Sequence, residues 1–251
     1  MTDKTTSIEK AIKILKRLSE EPYKMTALEL SEGLNINRST VHRILKTLMD
    51  EMMILQSPVS KKYTLGPASY HIGTSYLSKD SNTEQIKHIL EWVAKETQQS
   101  IGYSILEGER IINIYEIESF QPIKIGYRPG SYYPIHCGAY GKSIMAFFEP
   151  VSRLKEIVYS YDLYKKTPNT ITDPSELLEE YEKIRKNGYA ISDEESLVGA
   201  IGIGAPVRNS KGKVVACVGS ASIKSNTLDE ELESIKEKVI EGAQRISKIM
   251  L

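Results

Sequence analysis

Apolar residues in the first twenty positions recur at intervals of three and four, the pattern of a half-buried helix. This stripe consists of Ile8, Ala11, Ile12, Leu15 and Leu18. A helix is therefore predicted from Ser7 up to Glu21 and Pro22, because proline removes a helical hydrogen bond.

Two further helix signals follow closely. Thr26 and Glu29 form a capping box, in which the threonine side chain caps the third helical amide and the glutamate reaches back to the amide of the threonine. This second helix is expected to end near Gly33. Asn37 is then a favourable N-cap for a third helix over residues 38–51. Two short helices joined by three or four residues predict a helix-turn-helix.

The third helix separates its residues into two faces. Its inward stripe is apolar and consists of Val41, Ile44, Leu45 and Leu48. Its other face is basic and hydrogen-bonding, with Arg38, Ser39, His42, Arg43 and Lys46. A recognition helix needs such a face, because its first turns enter the major groove of DNA.

Two short strands, near residues 54–57 and 63–65, flank a loop that contains Lys61 and Lys62. We interpret this hairpin as a β-wing whose lysines contact the phosphate backbone of DNA. An ordinary three-helix unit with one cationic face is the alternative. The predicted DNA contacts are Thr26, Asn37, Arg38, Ser39, Thr40, His42, Arg43, Lys46, Lys61 and Lys62.

The remaining chain mixes helix and strand signals without a long βαβαβ alternation. Helices are predicted at residues 65–78, 82–97, 138–148, 151–160, 173–187 and 227–249. Strands are predicted at residues 100–106, 111–117, 123–127, 189–192, 200–207 and 214–222. Hairpin-connected strands between helices indicate an α+β fold with an antiparallel sheet. We expect a DNA-binding domain at 1–65, a linker helix at 66–80 and an effector-binding domain at 81–251.

Charge divides the chain in the same way. The 251 residues contain 33 Lys plus Arg and 33 Asp plus Glu, but residues 1–70 hold 11 basic against 8 acidic residues, leaving 22 against 25 for the rest. No stretch approaches the ~20 apolar residues of a membrane helix. Without a signal-type segment, and with two cysteines 80 positions apart, we expect a cytoplasmic, reduced protein that does not contact membranes.

Motifs for catalysis or cofactors fail on inspection. Gly141-Lys142-Ser143 lacks the glycine that a phosphate loop requires, since His136 stands there. The glycines at 199, 202 and 204 would need glycine or alanine at position 207, which is Val207. The four histidines and two cysteines show no metal-ligand spacing, and adjacent His136 and Cys137 are not expected to face each other. We therefore predict no metal, no cofactor and no catalytic residue.

Small residues precede the helix predicted at 138–148, in the segment PIHCGAYG of residues 134–141. Free amides at a helix N-terminus bind carboxylates or phosphates. Hydroxyls on a neighbouring strand, at Ser220 and Ser222, or on Tyr127, Tyr132 and Tyr140, are possible additional donors. The alternative is close packing of helix on sheet, which also requires small residues.

The order of these parts resembles the IclR family of bacterial transcription regulators. The segments that carry the resemblance are LNINRSTVHRIL (34–45), YTLG (63–66), PIHCGAYGK (134–142), GYAISDEE (188–195), and IGAPV (203–207) followed by GKVVA (212–216). The resemblance implies a winged helix-turn-helix joined to a GAF-like effector domain. It also implies dimers or tetramers, and effectors that are small organic, aromatic or sugar-derived acids.

By this resemblance, ligand contacts of the family fall near Ala139, Tyr140, Ser192, Gly202, Gly219 and Ala221. At the last four positions relatives commonly have Asp, Cys and two Ser, although Asp193, Ser220 and Ser222 stand one residue away. The chain also has Met52-Met53 where a glycine is usual before the wing.

These observations predict a ligand-responsive transcription regulator, expected to be a repressor, that is not an enzyme. Its partners would be a double-stranded DNA operator, a small anionic effector and a second or further copies of itself, as a homodimer or tetramer. The predicted effector contacts are Cys137, Gly138, Ala139, Tyr140, Ser192, Asp193, Gly202, Gly219, Ser220, Ala221 and Ser222. The alternatives are a constitutive DNA-binding protein with a degenerate sensor and a small-molecule enzyme.

Overall fold

Three helices, a two-stranded hairpin and a fourth helix make up the first part of the chain. The computed structural model describes residues 5–77, 82–118, 125–126 and 128–250. It divides into two compact units, Met1–Asp80 and Ser81–Leu251. The elements of the first unit are α1 (Ser7–Leu18), α2 (Ala27–Leu34), α3 (Arg38–Asp50), β1 (Ile54–Gln56), β2 (Tyr63–Leu65) and α4 (Pro67–Leu77).

The helix ends of this unit follow the sequence signals. Thr26 accepts a hydrogen bond from the amide of Glu29 at 3.2 Å, and the Glu29 carboxylate accepts from the amide of Thr26 at 2.6 Å, so the predicted capping box is confirmed. Asn37 caps α3 by accepting from the amide of Ser39 at 2.9 Å. Asn35 ends α2 in the left-handed conformation that asparagine tolerates.

The core of the first unit is formed by the inward faces of all three helices and the hairpin. Its fully buried members are Ile14, Leu30, Val41, Leu45 and Ile54. β1 and β2 pair antiparallel, and Met25 forms a bridge with Tyr63 that ties the hairpin to the start of α2. The unit is a winged helix-turn-helix, as predicted.

The base of the wing is unusually tight at two positions. Met52 has φ +54°, a left-handed conformation that favours glycine. A Cβ atom on Gly66 would lie 2.4 Å from the carbonyl oxygen of Met52. Met52, which stands where relatives commonly have glycine, therefore adopts a backbone conformation that glycine favours. Gly66 has no side chain and so allows the chain after β2 to approach the chain before β1.

The second unit is built on a six-stranded sheet. Its elements are α5 (Thr83–Thr97), β3 (Ser100–Glu107), β4 (Arg110–Ile117), β5 (Tyr132–Tyr133), α6 (Ala139–Met145), α7 (Val151–Ser160), α8 (Pro174–Asn187), β6 (Ala190–Asp193), β7 (Ala200–Arg208), β8 (Val214–Ile223) and α9 (Asp229–Ile249). The strand order is β5-β4-β3-β8-β7-β6, with every pair antiparallel. The α+β class and the antiparallel sheet are confirmed.

Helices cover both faces of this sheet. α9 contacts β7 and β8 and packs against α5, while α6 contacts the same two strands from the other side and has α8 behind it. Alternation along β8 separates the faces, since Val218 lies toward Gly242 of α9 and Gly219 lies toward Tyr140 of α6. The face with α6 contains a small cavity.

A few predicted boundaries differ from the structure. The helix predicted to reach Phe148 ends at Met145, because Phe147 and Phe148 donate to carbonyls only three residues back and tighten the last turn. β5 was not predicted, because two residues give no alternating pattern. The strand predicted at 123–127 is wrong at residues 125 and 126, which are not in a strand, while its residues 123, 124 and 127 lie outside the described residues, as does position 78 of the predicted linker helix.

Candidate functional sites

The outer face of α3 presents its cations to solvent. Arg38, Ser39, His42, Arg43 and Lys46 are exposed, whereas Val41, Ile44 and Leu45 are buried as predicted. Within the described ranges, Arg38, Arg43 and Lys46 form no ion pair. Their charges are therefore available to a polyanion without first breaking an internal contact.

Thr26 and Asn37 differ from the other predicted DNA contacts because their side chains cap helices. The Thr26 hydroxyl accepts from Glu29, and Asn37 Oδ1 accepts from both the amide and the hydroxyl of Ser39 at 2.9 and 2.8 Å. Thr40 is half-buried on α3. Thr26 and Asn37 therefore hold the starts of α2 and α3, and the arginines provide most of the positive charge on the exposed face of α3.

The two wing lysines are not equivalent. Lys61 is exposed, with φ +57°, and has no ionic partner among the residues that the structure describes. Lys62 is half-buried, and its Nζ lies 3.7 Å from Glu29 Oε1. The pKa of Glu29 is lowered chiefly by its hydrogen bond with the Thr26 backbone, with a smaller contribution from Lys62.

A small cavity lies between α6 and the strands β7 and β8, with a volume of about 30 Å³. Its lining residues are Ile125, Gly138, Ala139, Tyr140, Ser192, Ser196, Leu197, Ala200, Ile201, Gly202, Ser220 and Ala221. Seven predicted effector contacts are among them: Gly138, Ala139, Tyr140, Ser192, Gly202, Ser220 and Ala221. The structure thus brings together residues from the start of α6 and from the strands β6, β7 and β8.

The other four predicted contacts lie elsewhere. Asp193 is exposed and pairs with Lys224 at 2.7 Å. Gly219 lies under the Tyr140 ring, while Cys137 and Ser222 are buried beside the cavity-lining positions. Burial raises the pKa of the Cys137 thiol, and the neighbouring Ser196 side chain acts in the opposite direction.

Five lining residues were missed by the sequence analysis: Ile125, Ser196, Leu197, Ala200 and Ile201. Ser196 and Leu197 belong to the connection between β6 and β7, and Ala200 and Ile201 begin β7. Their position at the cavity follows from the pairing of those two strands. The long connection between the strands predicted at 189–192 and 200–207 was the one sequence feature that could have indicated Ser196 and Leu197. Of the tyrosines considered as donors, Tyr132 is exposed on β5 and Tyr127 lies outside the described residues.

The amide of Gly138, just before α6, is already satisfied within the chain. It donates to Glu195 Oε2 at 3.2 Å. This amide is therefore not free to bind a ligand, in contrast to the expectation for a helix N-terminus. The hydroxyls of Ser192, Ser196 and Ser220 are side-chain polar groups at the cavity wall, and that of Ser192 also interacts with Glu195.

Lys142 explains why Glu195 is held there. Its ammonium is fully buried and lies 2.5 Å from Glu195 Oε1, 2.8 Å from Glu180 Oε1 and 2.9 Å from the carbonyl oxygen of Ile191. Burial raises the pKa of Glu195, although Lys142 acts in the opposite direction. This ion cluster joins α6, α8, β6 and the loop after β6 around one charge.

His136 has a similar structural role. Its ring is buried, and its Nε2 lies 2.9 Å from the carbonyl oxygen of Tyr164. Desolvation lowers the pKa of His136. No group of three potential metal ligands occurs in the part of the chain that the structure covers, and none of its helices is long and apolar enough to cross a membrane.

Two family models match the chain, one over its first part and one over its second. The model described as IclR helix-turn-helix domain matches residues 7–58, and that described as bacterial transcriptional regulator IclR C-terminal matches residues 74–248. The chain belongs to the IclR family of transcriptional regulators. It is thus a DNA-binding regulator with an effector-domain fold.

Curated relatives agree over nearly the full chain. The chain is 26% identical over 223 residues to the HTH-type transcriptional regulator BhcR of Paracoccus denitrificans, covering 89% of this chain and 80% of the relative. It is 26% identical over 244 residues to the regulator XynR of Escherichia coli, covering 97% and 96%. The relatives are named as transcription regulators.

Solved structures show the same fold. An IclR transcriptional regulator from Alicyclobacillus acidocaldarius matches with a TM-score of 0.85 at 26% identity, covering 98% of this chain and 99% of that one. An IclR homologue from Microbacterium hydrocarbonoxydans, crystallised with 4-hydroxybenzoate, matches with a TM-score of 0.79 at 18% identity, covering 97% and 100%. The second likeness concerns the fold alone.

Proposed function

We propose that this regulator is a ligand-responsive repressor whose affinity for its operator changes when a small organic acid binds in the second unit. The observation that supports this most directly is the cavity between α6 and the sheet, which gathers seven residues predicted to contact an effector. Short sugar-derived acids belong to the same class, since their hydroxyls would pair with serine hydroxyls.

The proposed DNA interface is the exposed face of α3 together with the wing. Arg38 and Arg43 would reach base edges in the major groove, where bidentate arginine contacts distinguish guanine. Lys61 would neutralise a phosphate. Thr26 and Asn37 act mainly by holding the ends of α2 and α3, since their oxygens are already hydrogen-bonded.

The proposed effector site has no charged side chain among its described lining residues. A carboxylate there would be recognised by hydroxyl and amide donors, as from Ser192, Ser196 and Ser220. A protein of the same fold holds 4-hydroxybenzoate, which supports an organic acid as the ligand class. The remaining predicted contacts, Cys137, Asp193, Gly219 and Ser222, would act through their lining neighbours.

A calorimetric test joins the two sites. An acid that raises the melting temperature in a screen is expected to change operator affinity by ~5- to 150-fold, and operator to change acid affinity by the same factor. Ala139→Leu is expected to abolish acid binding and leave basal operator binding unchanged, because Ala139 lines the cavity. Ala139→Ser is the matched control, with nearly the same volume.

Undiminished acid binding by the Ala139→Leu variant would contradict the location of the site. Equal acid affinity with and without operator would contradict ligand control. In that case the protein would be a constitutive DNA-binding regulator.

We further propose that two copies of the chain assemble through α4 and bind a two-fold symmetric operator. α4 buries none of its residues, and it exposes Tyr70 by 76% and Ile72 by 59% of their surface. α4 of a second copy would cover these apolar side chains. A two-fold symmetric dimer would also read twice the short DNA sequence that one recognition helix reads.

Sedimentation is expected to show a dimer, or a tetramer built from it. The two half-sites of its operator are expected to lie about one helical turn, ~10 bp, apart. Replacing both Tyr70 and Ile72 with glutamate is expected to give monomers that bind the operator weakly. Tyr159→Glu is the control, since Tyr159 is also exposed but lies on α7. A wild-type protein that stays monomeric with operator DNA would refute the proposal.

A further inference from the structure

Tyr140, the second residue of α6, is the largest side chain among those predicted to contact the effector. It is 2% exposed. Its ring stacks on Tyr133 with centroids 4.8 Å apart and planes 6° from parallel. Its hydroxyl donates to the carbonyl oxygen of Gly219 at 2.9 Å. The ring is therefore fixed on one side by stacking and at its tip by a hydrogen bond.

Two glycines on adjacent strands make room for this ring. Gly102 of β3 pairs with Gly219 of β8. A Cβ atom on Gly219 would lie 2.6 Å from Tyr140 Cε1, and one on Gly102 would lie 2.8 Å from Tyr140 Cε1 and from its hydroxyl oxygen. The sheet thus has a trough at these glycines, and the tyrosine fills it.

The trough is continuous with the cavity. Gly219 and Ala221 lie on the same face of β8, because side chains alternate along a strand. Ala221 and its partner on β7, Gly202, line the cavity, whereas Gly219 and its partner Gly204 lie under α6. One step along the strands therefore leads from the open space to the space that Tyr140 occupies.

The open space is too small for an aromatic ring. About 30 Å³ is enough for ordered water. A cavity that admits benzene is on the order of 150 Å³.

We propose that Tyr140 closes the inner end of the effector cavity and restricts its ligands to short-chain carboxylates, excluding aromatic acids. The inference rests on the proposed function, because it assumes that the cavity is the effector site. It differs from that function in naming the residue that limits ligand size. In this chain, Gly219 makes room for the tyrosine ring, and Gly102 makes room for both that ring and the Glu116 carboxylate, whose Oε2 would lie 2.7 Å from a Cβ atom there.

The test uses 4-hydroxybenzoate as the probe, with calorimetry and melting temperature as measurements on the full-length protein. Tyr140→Ala is expected to bind 4-hydroxybenzoate about tenfold or more tightly than wild type, because the ring of the acid replaces the missing ring. Tyr140→Phe is the matched control. It removes only the hydroxyl, retains the ring in the trough, and is expected to behave as wild type.

Tyr140→Leu serves as a second variant if the alanine protein does not fold, since it keeps an apolar core residue while removing the ring. In the wild type, acetate or propionate is expected to raise the melting temperature more than benzoate or 4-hydroxybenzoate at equal concentration. Wild-type binding of 4-hydroxybenzoate as tight as that of the variants would overturn the proposal, as would a folded alanine or leucine variant with no gain.

Operator binding distinguishes this inference from the proposed function. If 4-hydroxybenzoate binds the Tyr140→Ala protein without changing operator affinity, the size limit stands and ligand control of DNA binding fails. If it binds the wild type and changes operator affinity, ligand control stands and the size limit fails.

Discussion

Lys142→Met is expected to lower the free energy of unfolding of the second unit by about 3–5 kcal/mol, the cost of leaving a buried charge without its partner. The ammonium is the cation shared by Glu180 and Glu195, and its side chain is 0% exposed. Methionine matches its length but leaves both carboxylates uncompensated. It also leaves the carbonyl oxygen of Ile191 without this donor.

Denaturant unfolding followed by the fluorescence of Trp92 measures this loss. Trp92 is the only tryptophan of the chain and lies in α5, so its signal reports the second unit. Lys213→Met is the control, because Lys213 is exposed and expected to change stability little. A second control, Lys142→Met with Glu195→Gln, removes one unpaired charge and is expected to recover part of the loss.

The effect of Lys142→Met also depends on pH. Desolvation raises the pKa of Glu195 above its ordinary value of 4.5, and without Lys142 the pKa rises further. A carboxyl group with a raised folded-state pKa stabilises the fold below its unfolded pKa, and this stability is lost as the pH rises through the folded value. The variant is therefore expected to be least impaired below pH 4.5 and increasingly impaired as the pH rises above that value. A pH-independent loss would contradict the assigned cause.

Arg38→Ala and Arg43→Ala are each expected to weaken operator binding by ~1–3 kcal/mol and to relax the preference for one base pair. Both side chains are exposed on α3 and have no competing ion pair within the described residues. Fluorescence anisotropy with the operator and with single-base variants of it measures affinity and preference together. Unchanged preference in both variants would contradict groove contacts by these residues.

The wing provides the contrast. Lys61→Ala is expected to weaken binding to all sequences alike and to reduce the salt dependence by ~1 unit of slope. Lys62→Ala should do less, because its ammonium lies near Glu29 at 3.7 Å in the free protein. The variant that combines Lys61→Ala with Lys62→Ala is expected to keep the DNA-sequence preference of the wild type. A changed preference in that protein would place a wing lysine at base edges.

Local signals in the sequence were sufficient for the first unit. Capping residues and apolar spacing act over three or four positions, so Thr26 with Glu29, and Asn37, mark the starts of α2 and α3 without reference to any long-range contact. The same spacing separated the basic face of α3 from its buried face. A resemblance carried by several ordered segments then indicated the family.

The effector cavity depended on contacts that no local pattern contains. β3 pairs with β8, which joins residues more than a hundred positions apart and brings Gly102 beside Gly219. The register of β6 and β7 places Ser196 and Leu197 over the cavity. Their position follows from hydrogen bonding across the sheet, whereas their own spacing gives no signal.

Tertiary structure also decided which groups beside the cavity are free to bind a ligand. The sequence indicated that the amides before α6 were free, and it allowed small residues to mean either a ligand site or close packing. The fold gives both meanings to different residues: Gly202 lines the open space, while Gly219 accommodates the ring of Tyr140. The amide of Gly138 is bound by Glu195 because Lys142 holds that carboxylate in place. Only tertiary structure brings these charges together, since desolvation and ion pairing depend on which segments pack around them.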